Sequence, residues 1–525
     1  MILIYNKSMK KFLGAELFFE TLYDLGIRTI FGLPGGYVLK IYDVMPSYSK
    51  KITHVLTRHE QAATHMADGF SRASGLPGII LCTSGPAATN TITGITTAYS
   101  DSVPVLIFTG QVPTPFLGSD AFQEADHIGI TRSCTKHNTL VRKTVNLPKA
   151  IAEALFISNT GKKGPVLVDM PKDVLISESE YKLPKEVKIK GYNPEVPLKN
   201  SEYESFKKVF KDSKRPLLIF GKGACSDFNK RLISKFLNKA KLPAMSSIMS
   251  LGLIDDNNKF NFGVLGEGGS AVSEDLINKA DLIISIGCDL IKIVPEDNLK
   301  NKDIIVVNID KSNFNAKTRG NLNIHTNSDN FIEKLSAEKG LSFEWEVSEL
   351  ERFREKYLKA QEKEMQSNSK SRIFKLISDL SPKDTVFCSD FSYEDVILQK
   401  FLSVSDFKNS ILSGGNGTPG YGFPAAIGAT FARPKSKVVS ISSGTNFQFN
   451  MQELIVTLEQ KIDLTIVVLN DKKNKIKKYS GPDYKSLGES FGVKSHQLSY
   501  NDKSFENNFK KSFNHKGTAL IEILI

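Results

Sequence analysis

Cysteine is scarce in this 525-residue chain. The five present, Cys82, Cys134, Cys225, Cys288 and Cys388, are odd in number and far apart. That excludes a disulfide-stapled framework and paired-cysteine zinc spacing, and it fits free thiols in a reducing compartment. Long apolar runs are missing too: none approaches the roughly eighteen residues that cross a bilayer, and Met1-Ile2-Leu3-Ile4-Tyr5-Asn6-Lys7 carries no apolar signal core. The expectation is a protein without membrane contact, located in the cytoplasm. Confined blocks of one charge are also lacking. The net charge of +12 comes mainly from lysines scattered along the sequence, with no basic stripe and no interleaved aromatics, which argues against nucleic-acid binding. The same field suits a diphosphate or carboxylate ligand.

What is present describes a globular protein, 40% hydrophobic and 24% charged. The length exceeds what one core supports, so several domains are expected. Short, near-continuous apolar segments ending in small or turn residues recur, as in parallel strands covered on both faces. In the first part these are Thr29-Ile30-Phe31, Ile79-Ile80-Leu81-Cys82-Thr83, Val103 to Thr109 and Gly164 to Pro171. The middle has Arg215 to Gly221, Ala280 to Gly287 and Asp303 to Asp310. The last part has Thr385 to Asp390, Lys437 to Ser442, Leu464 to Asn470 and Thr518 to Ile523. The reading is an α/β chain of three doubly wound parallel-sheet domains: residues 1–176, a proline-bearing linker over 177–212, a central domain over 213–337, a charged helical connector over 338–371 and a last domain over 372–525. The first and third units share size and grammar without a convincing sequence repeat.

The stretch from Leu56 to Arg72 organises the first domain. Ala62, Ala63, Met66, Ala67, Phe70 and Ala73 recur at helical spacing, which places His59 and Glu60 in a first helical turn just after a strand. A carboxylate there is favoured by the positive helix end and can face the crevice beyond the sheet. A plain solvated N-terminal glutamate is the competing reading of Glu60 taken alone.

Phe31-Gly32-Leu33-Pro34-Gly35-Gly36, Arg58-His59-Glu60-Gln61-Ala62-Ala63, Gly110-Gln111-Val112-Pro113 and Asp120-Ala121-Phe122-Gln123-Glu124 resemble, in order and wording, the acetolactate synthase branch of the thiamine diphosphate enzymes. Ser413-Gly414-Gly415-Asn416-Gly417-Thr418, Gly422-Phe423-Pro424-Ala425-Ala426-Ile427-Gly428 and Phe447-Gln448-Phe449-Asn450-Met451-Gln452-Glu453-Leu454 match the same branch, so the similarity spans nearly the whole chain. The resemblance implies the thiamine diphosphate enzyme fold, with a pyrimidine-binding first domain, a central domain and a diphosphate-binding third domain. It implies a homodimer or homotetramer, with the cofactor held between the first domain of one subunit and the third of its partner. Glu60 matches the catalytic glutamate, which bonds to the aminopyrimidine ring and promotes the imino form that takes a proton from the thiazolium carbon. Gly35, Gln111, Phe122, Gln123, Lys136 and His137 match positions on the substrate side, where a small 2-keto acid would bind; packing or surface placement is the competing reading for each.

The match breaks where the resemblance implies a diphosphate and a magnesium ion. Ser442-Ser443-Gly444-Thr445-Asn446 stands in place of the usual Gly-Asp-Gly-Ser, so Gly444 falls on the metal-binding Asp. Asp471 takes the place of a second ligand, an Asn, and offers a hard oxygen of the kind magnesium prefers. Ser392-Tyr393-Glu394 replaces a Gly-Gln-His stretch facing the diphosphate, and Glu394 there would repel it. Pro419, after Thr418, replaces the bulky apolar residue that bends the cofactor. The lysine-rich stretch 472–480 replaces a longer substrate-covering segment. In the central domain Gly287-Cys288-Asp289-Leu290 lacks the arginine that the resemblance would place against a flavin, which argues against FAD. Two readings remain open. One is a divergent thiamine diphosphate-dependent decarboxylase or carboligase acting on a small 2-keto acid. The other is a cofactor-defective homologue with a regulatory or structural role.

Overall fold

The computed structural model describes residues 10–266, 269, 271–314, 322–390, 399–471 and 481–525. Ser392, Tyr393, Glu394 and the lysine-rich stretch 472–480 lie outside the described residues. Within what is described, the chain divides into two compact units. Met1–Tyr192, Val386–Asp390 and Gly415–Leu524 form one; Asn193–Thr385 and Phe391–Gly414 form the other.

In the first unit, α1 (Gly14–Asp24) leads into β1 (Thr29–Gly32), followed by β2 (Thr53–Leu56), α2 (Glu60–Ser74), β3 (Gly78–Cys82), α3 (Ile92–Ser100), β4 (Val105–Gln111), β5 (His137–Leu140), α4 (Leu147–Asn159) and β6 (Val166–Pro171). The strands form one parallel sheet in the order β2-β1-β3-β4-β6-β5. Every residue of β3, β4 and β6 is buried, as their apolar runs predict for strands covered on both faces. Phe18, Phe19 and Leu22 of α1 pack there with Leu106, Phe108 and Val168.

The central sheet lies in the other unit. Its strands are β7 (Pro216–Phe220), β8 (Ala244–Ser247), β9 (Asn261–Leu265), β10 (Leu282–Ile286), β11 (Asp303–Asn308) and β12 (Leu322–His325). They are parallel, in the order β9-β8-β7-β10-β11-β12. The charged helical connector region carries α5 (Val347–Ser367), followed by α6 (Ser369–Leu380). Asn368 between them caps the second, its side chain accepting from the backbone of Lys370 and Ser371.

The third sheet returns to the first unit with β13 (Val386–Ser389), α7 (Gly422–Ala432), β14 (Val438–Ser443), the single-turn α8 (Gly444–Phe447), β15 (Thr465–Asn470), α9 (Tyr484–Ser490), β16 (Lys494–Ser499) and β17 (Ala519–Leu524). Its strands in this unit run β13-β14-β15-β17-β16, all parallel. As in the first sheet, the last strand in sequence comes to lie inside the one before it. The architecture is therefore three α/β parallel sheets. Helices α2 and α7 meet backbone to backbone at two glycines. A Cβ on Gly69 would lie 2.1 Å from the carbonyl oxygen of Ala425, and one on Gly428 would lie 1.8 Å from that of Met66.

Candidate functional site

The first sheet reverses direction of growth between β1 and β3, and α/β proteins bind ligands beyond the carboxyl ends of strands at such a point. The Gly35 turn follows β1, and Thr83-Ser84-Gly85 follows β3. A Cβ on Gly35 would lie 2.3 Å from the Thr83 side chain, so glycine is required for the two turns to touch. Glu60 stands just past β2 as the first residue of α2. The residue before it, His59, is the N-cap, its Nδ1 accepting from the Gln61 N–H at 3.1 Å. The Glu60 carboxylate is half-buried and accepts from Asn90 Nδ2 at 2.9 Å. Beneath it, the Arg58 N–H donates to both oxygens of the fully buried Glu453 carboxylate at 3.1 Å each. Burial pushes the Glu453 carboxyl up to about 7, against the pull of the Arg58 and His59 backbone.

Gln111, at the end of β4, does not present its amide as a substrate contact would. Its Nε2 donates to the Ala125 carbonyl (2.9 Å) and to Asp169 Oδ2 (3.0 Å), while its Oε1 accepts from Ser84 Oγ (3.1 Å) and the Val112 N–H (2.9 Å). His127 completes this buried network: its Nε2 accepts from the Gly85 N–H (3.1 Å), and its Nδ1 lies 3.0 Å from Asp169. The Nε2 contact puts the ring proton on Nδ1 and makes Asp169 its acceptor. Lys136 is likewise committed elsewhere. Its ammonium donates to the carbonyls of Ile157 and Thr160 near the C-terminal end of α4 and to the Tyr192 hydroxyl, and burial lowers it to about 8. His137, the first residue of β5, is exposed. Phe122 and Gln123 stay near the turn. Ser84 Oγ donates to the Gln123 carbonyl at 2.6 Å and the Tyr37 hydroxyl to that of Phe122 at 2.5 Å, leaving the Phe122 ring 81% exposed.

The other set of expected residues gathers beyond the carboxyl ends of the third sheet. Thr418 is buried, its hydroxyl 2.6 Å from that of Thr97; Pro419 is exposed. Gly444 opens α8 and is followed by Thr445 and Asn446, with Ser443 Oγ accepting from the Asn446 N–H. Asp471 is exposed at the end of β15, whereas its neighbour Asn470 turns its amide to buried Glu522 at 2.6 Å.

Three sequence-family models match the chain in order. They are described as "Thiamine pyrophosphate enzyme, N-terminal TPP binding domain" over residues 13–130, the "central domain" over 204–335 and the "C-terminal TPP binding domain" over 394–479. The chain belongs to the thiamine pyrophosphate enzyme family. Within it the chain is closely related to acetolactate synthase large subunits. It is 34% identical over 512 residues to that of Haemophilus influenzae (92% of this chain, 89% of the relative). It is 32% identical over 528 residues to the probable one of Methanocaldococcus jannaschii (92% and 87%), and 31% over 526 to isozyme 3 of Escherichia coli (94% and 91%).

Membership implies thiamine diphosphate with a divalent cation, and Gly444 offers that cation no side-chain oxygen. A Cβ at this position would lie 2.8 Å from both Cε2 and Oη of Tyr484, a ring that is 1% exposed, so a larger residue here would need that ring to shift. Among the described residues no group of three or more histidines, cysteines, aspartates or glutamates is placed to hold a metal. The single exposed Asp471 is a poor clamp for an ion that demands near-octahedral oxygens. No helix among the described residues is long and apolar enough to cross a membrane.

Asn90, Glu453, His127, Asp169 and Tyr484 were not legible as site residues. Glu453 stands in a matched motif and Asp169 lies within strand β6, but nothing local announces the partner of either.

Proposed function

We propose that this member of the thiamine pyrophosphate enzyme family has lost the metal–diphosphate clamp and acts through its architecture, as a regulatory or structural partner of an active relative. The observation that carries this reading is Gly444 itself, which opens α8 without bringing a carboxylate to the position that the family resemblance assigns to a metal ligand. The replacement of the expected donors at 392–394 and the short Pro419 point the same way. Titration calorimetry of the purified, metal-stripped protein with thiamine diphosphate, with and without magnesium, tests it. The expected result is no magnesium-dependent heat at millimolar cofactor. Micromolar binding that requires magnesium overturns it.

A second reading is a divergent decarboxylase or carboligase acting on a small 2-keto acid. The Glu60 pocket favours it: the carboxylate is half-buried, met by Asn90 and set on a turn anchored by Glu453. Under that reading, turnover of a 2-keto acid requires the cofactor and is abolished by Glu60→Gln with the fold intact. Both readings take the chain as a homodimer or homotetramer in the cytoplasm.

A further inference from the structure

Neither functional reading uses Asn416, which begins the one Asn-Gly pair in the chain. Asparagine is a thermally labile residue. Its side-chain carbonyl carbon can be attacked by the backbone nitrogen of the residue that follows, and a Cβ on that residue shields the nitrogen. Glycine carries no such shield. The fold leaves the pair open. Asn416 is exposed, and neither its amide nor the Gly417 N–H makes a hydrogen bond among the described residues. Gly417 has a φ of 57°, in the region that glycine enters freely. The four Asn-Ser pairs are placed differently. Asn200 opens a helix, Asn327 and Asn368 are the N-caps of two others, and Asn409 is 1% exposed. Each is also followed by a residue with a Cβ.

The flanks of the pair are pinned to one helix end. The Gly415 N–H donates to Asp101 Oδ1 at 2.7 Å, and the Thr418 hydroxyl lies 2.6 Å from that of Thr97. Thr97 lies in the last turn of α3, and Asp101 is its C-cap. Gly415 sits so close to this turn that a Cβ on it would lie 2.1 Å from Ser100 Oγ. Only Asn416 and Gly417 lie between the anchored residues, so any change in backbone length falls on them.

We propose that Asn416 is a self-modifying site whose co-reactant is water. The Gly417 nitrogen, losing its proton, bonds to Asn416 Cγ; the Cγ–Nδ2 bond breaks and ammonia leaves, giving a cyclic imide. Water then opens that ring at either of its carbonyl–nitrogen bonds. Cleavage at Cγ gives aspartate on the original backbone. Cleavage at the Asn416 backbone carbonyl gives isoaspartate, which routes the main chain through Cβ and Cγ and lengthens it by one atom. Both products bring a carboxylate to this segment, and the lengthened one strains against the Asp101 and Thr97 anchors. Neither cofactor nor metal enters the chemistry, so it stands apart from the clamp-deficient reading.

The full-length chain is kept in heavy-oxygen water at mildly alkaline pH, folded or unfolded in urea, and its peptides are then separated and weighed. The expected result is an amide-to-acid mass gain at Asn416 in the folded chain, carrying one heavy oxygen, at a rate close to that of the unfolded chain. Aspartyl and isoaspartyl forms should both appear, while the four Asn-Ser pairs keep their amides. An Asn416 amide that persists in the folded chain but is lost in the unfolded one overturns the proposal, as does a gain spread evenly over the Asn-Ser pairs. Hydrogen exchange at the Gly415 N–H separates length from charge. The isoaspartyl fraction should exchange faster than unmodified protein, and Asn416→Asp, which adds the charge without the extra atom, should keep wild-type protection. Unchanged exchange in the isoaspartyl fraction, or equal loss of protection in Asn416→Asp, overturns the role given to backbone length.

Discussion

Glu453 shows how one buried charge bears on the candidate site. It is 0% exposed, its two oxygens accept the Arg58 N–H, and that N–H lies two residues before Glu60. In an unfolded chain a glutamate titrates near ~4.3; here burial pushes the carboxyl up to about 7. The folded state therefore binds this proton more tightly than the unfolded state. The stability it contributes is fully present below about pH 4.3 and is lost as pH rises to about 7. Glu453→Gln cannot ionise and keeps one carbonyl oxygen for Arg58. Measured against that variant by urea denaturation, wild type should lose roughly 2–3 kcal/mol between about pH 5 and pH 8. A difference that stays constant with pH would show that the charge is not penalised. The place of Glu60 itself was readable, because a preceding strand and an apolar helical face are both local signals. Asn90, Glu453 and Tyr484 were not, because each acts through a partner far away in sequence or through the absence of a side chain there.

Helix α2 is held by more than its apolar face. Arg72 is buried in its last turn, donating from Nε to Asp68 at 2.6 Å and from Nη2 to Asp101 at 2.7 Å. The Tyr421 hydroxyl donates to the same Asp68, and Asp101 also accepts from the Gly415 N–H at 2.7 Å. All four residues Asp68, Arg72, Asp101 and Tyr421 are buried, so the guanidinium offsets two carboxylates that water does not reach. Arg72→Met preserves most of the side-chain volume but leaves both acids uncompensated. It should lower stability at neutral pH by about 3–5 kcal/mol, read as a fall in the urea midpoint at unchanged slope. Adding Asp68→Asn to that variant should restore part of the loss; no recovery would place the cost in packing instead of charge. At this scale the sequence spoke unevenly. Interior strands such as β3, β4, β10 and β15 were read from their apolar runs to within one or two residues. The strands at Ala244–Ser247, Asn261–Leu265, His137–Leu140, Leu322–His325 and Lys494–Ser499 went unread, because their polar residues break the run that marks a doubly covered strand.

At the scale of the whole molecule the three-sheet plan was legible, and the grammar shared by the first and third units has a physical counterpart. The first sheet and the five strands β13 to β17 of the third are parallel, and both tuck the final strand inside its predecessor, although no sequence repeat relates them. Topology of this kind rests on the placement of buried runs and turns, which many sequences satisfy, so it outlasts residue identity. What the pattern of runs does not convey is how the sheets group. Residues of the first and third sheets share one compact unit, and the central sheet with its connector helices makes the other. Each has a buried core of its own: Phe18, Phe19 and Phe108 stand in the first, while Phe206, Phe210, Phe331 and Trp345 stand in the second. Separate cores of this size rarely melt as one two-state step. Differential scanning calorimetry of the intact chain should show a calorimetric enthalpy clearly larger than the van't Hoff enthalpy, with the excess resolving into at least two transitions. Agreement of the two enthalpies in a single peak would mean that the units unfold as one cooperative body. Arg72→Met supplies the assignment, because its charge network lies wholly within the first unit: it should move one transition downward and leave the other where it was.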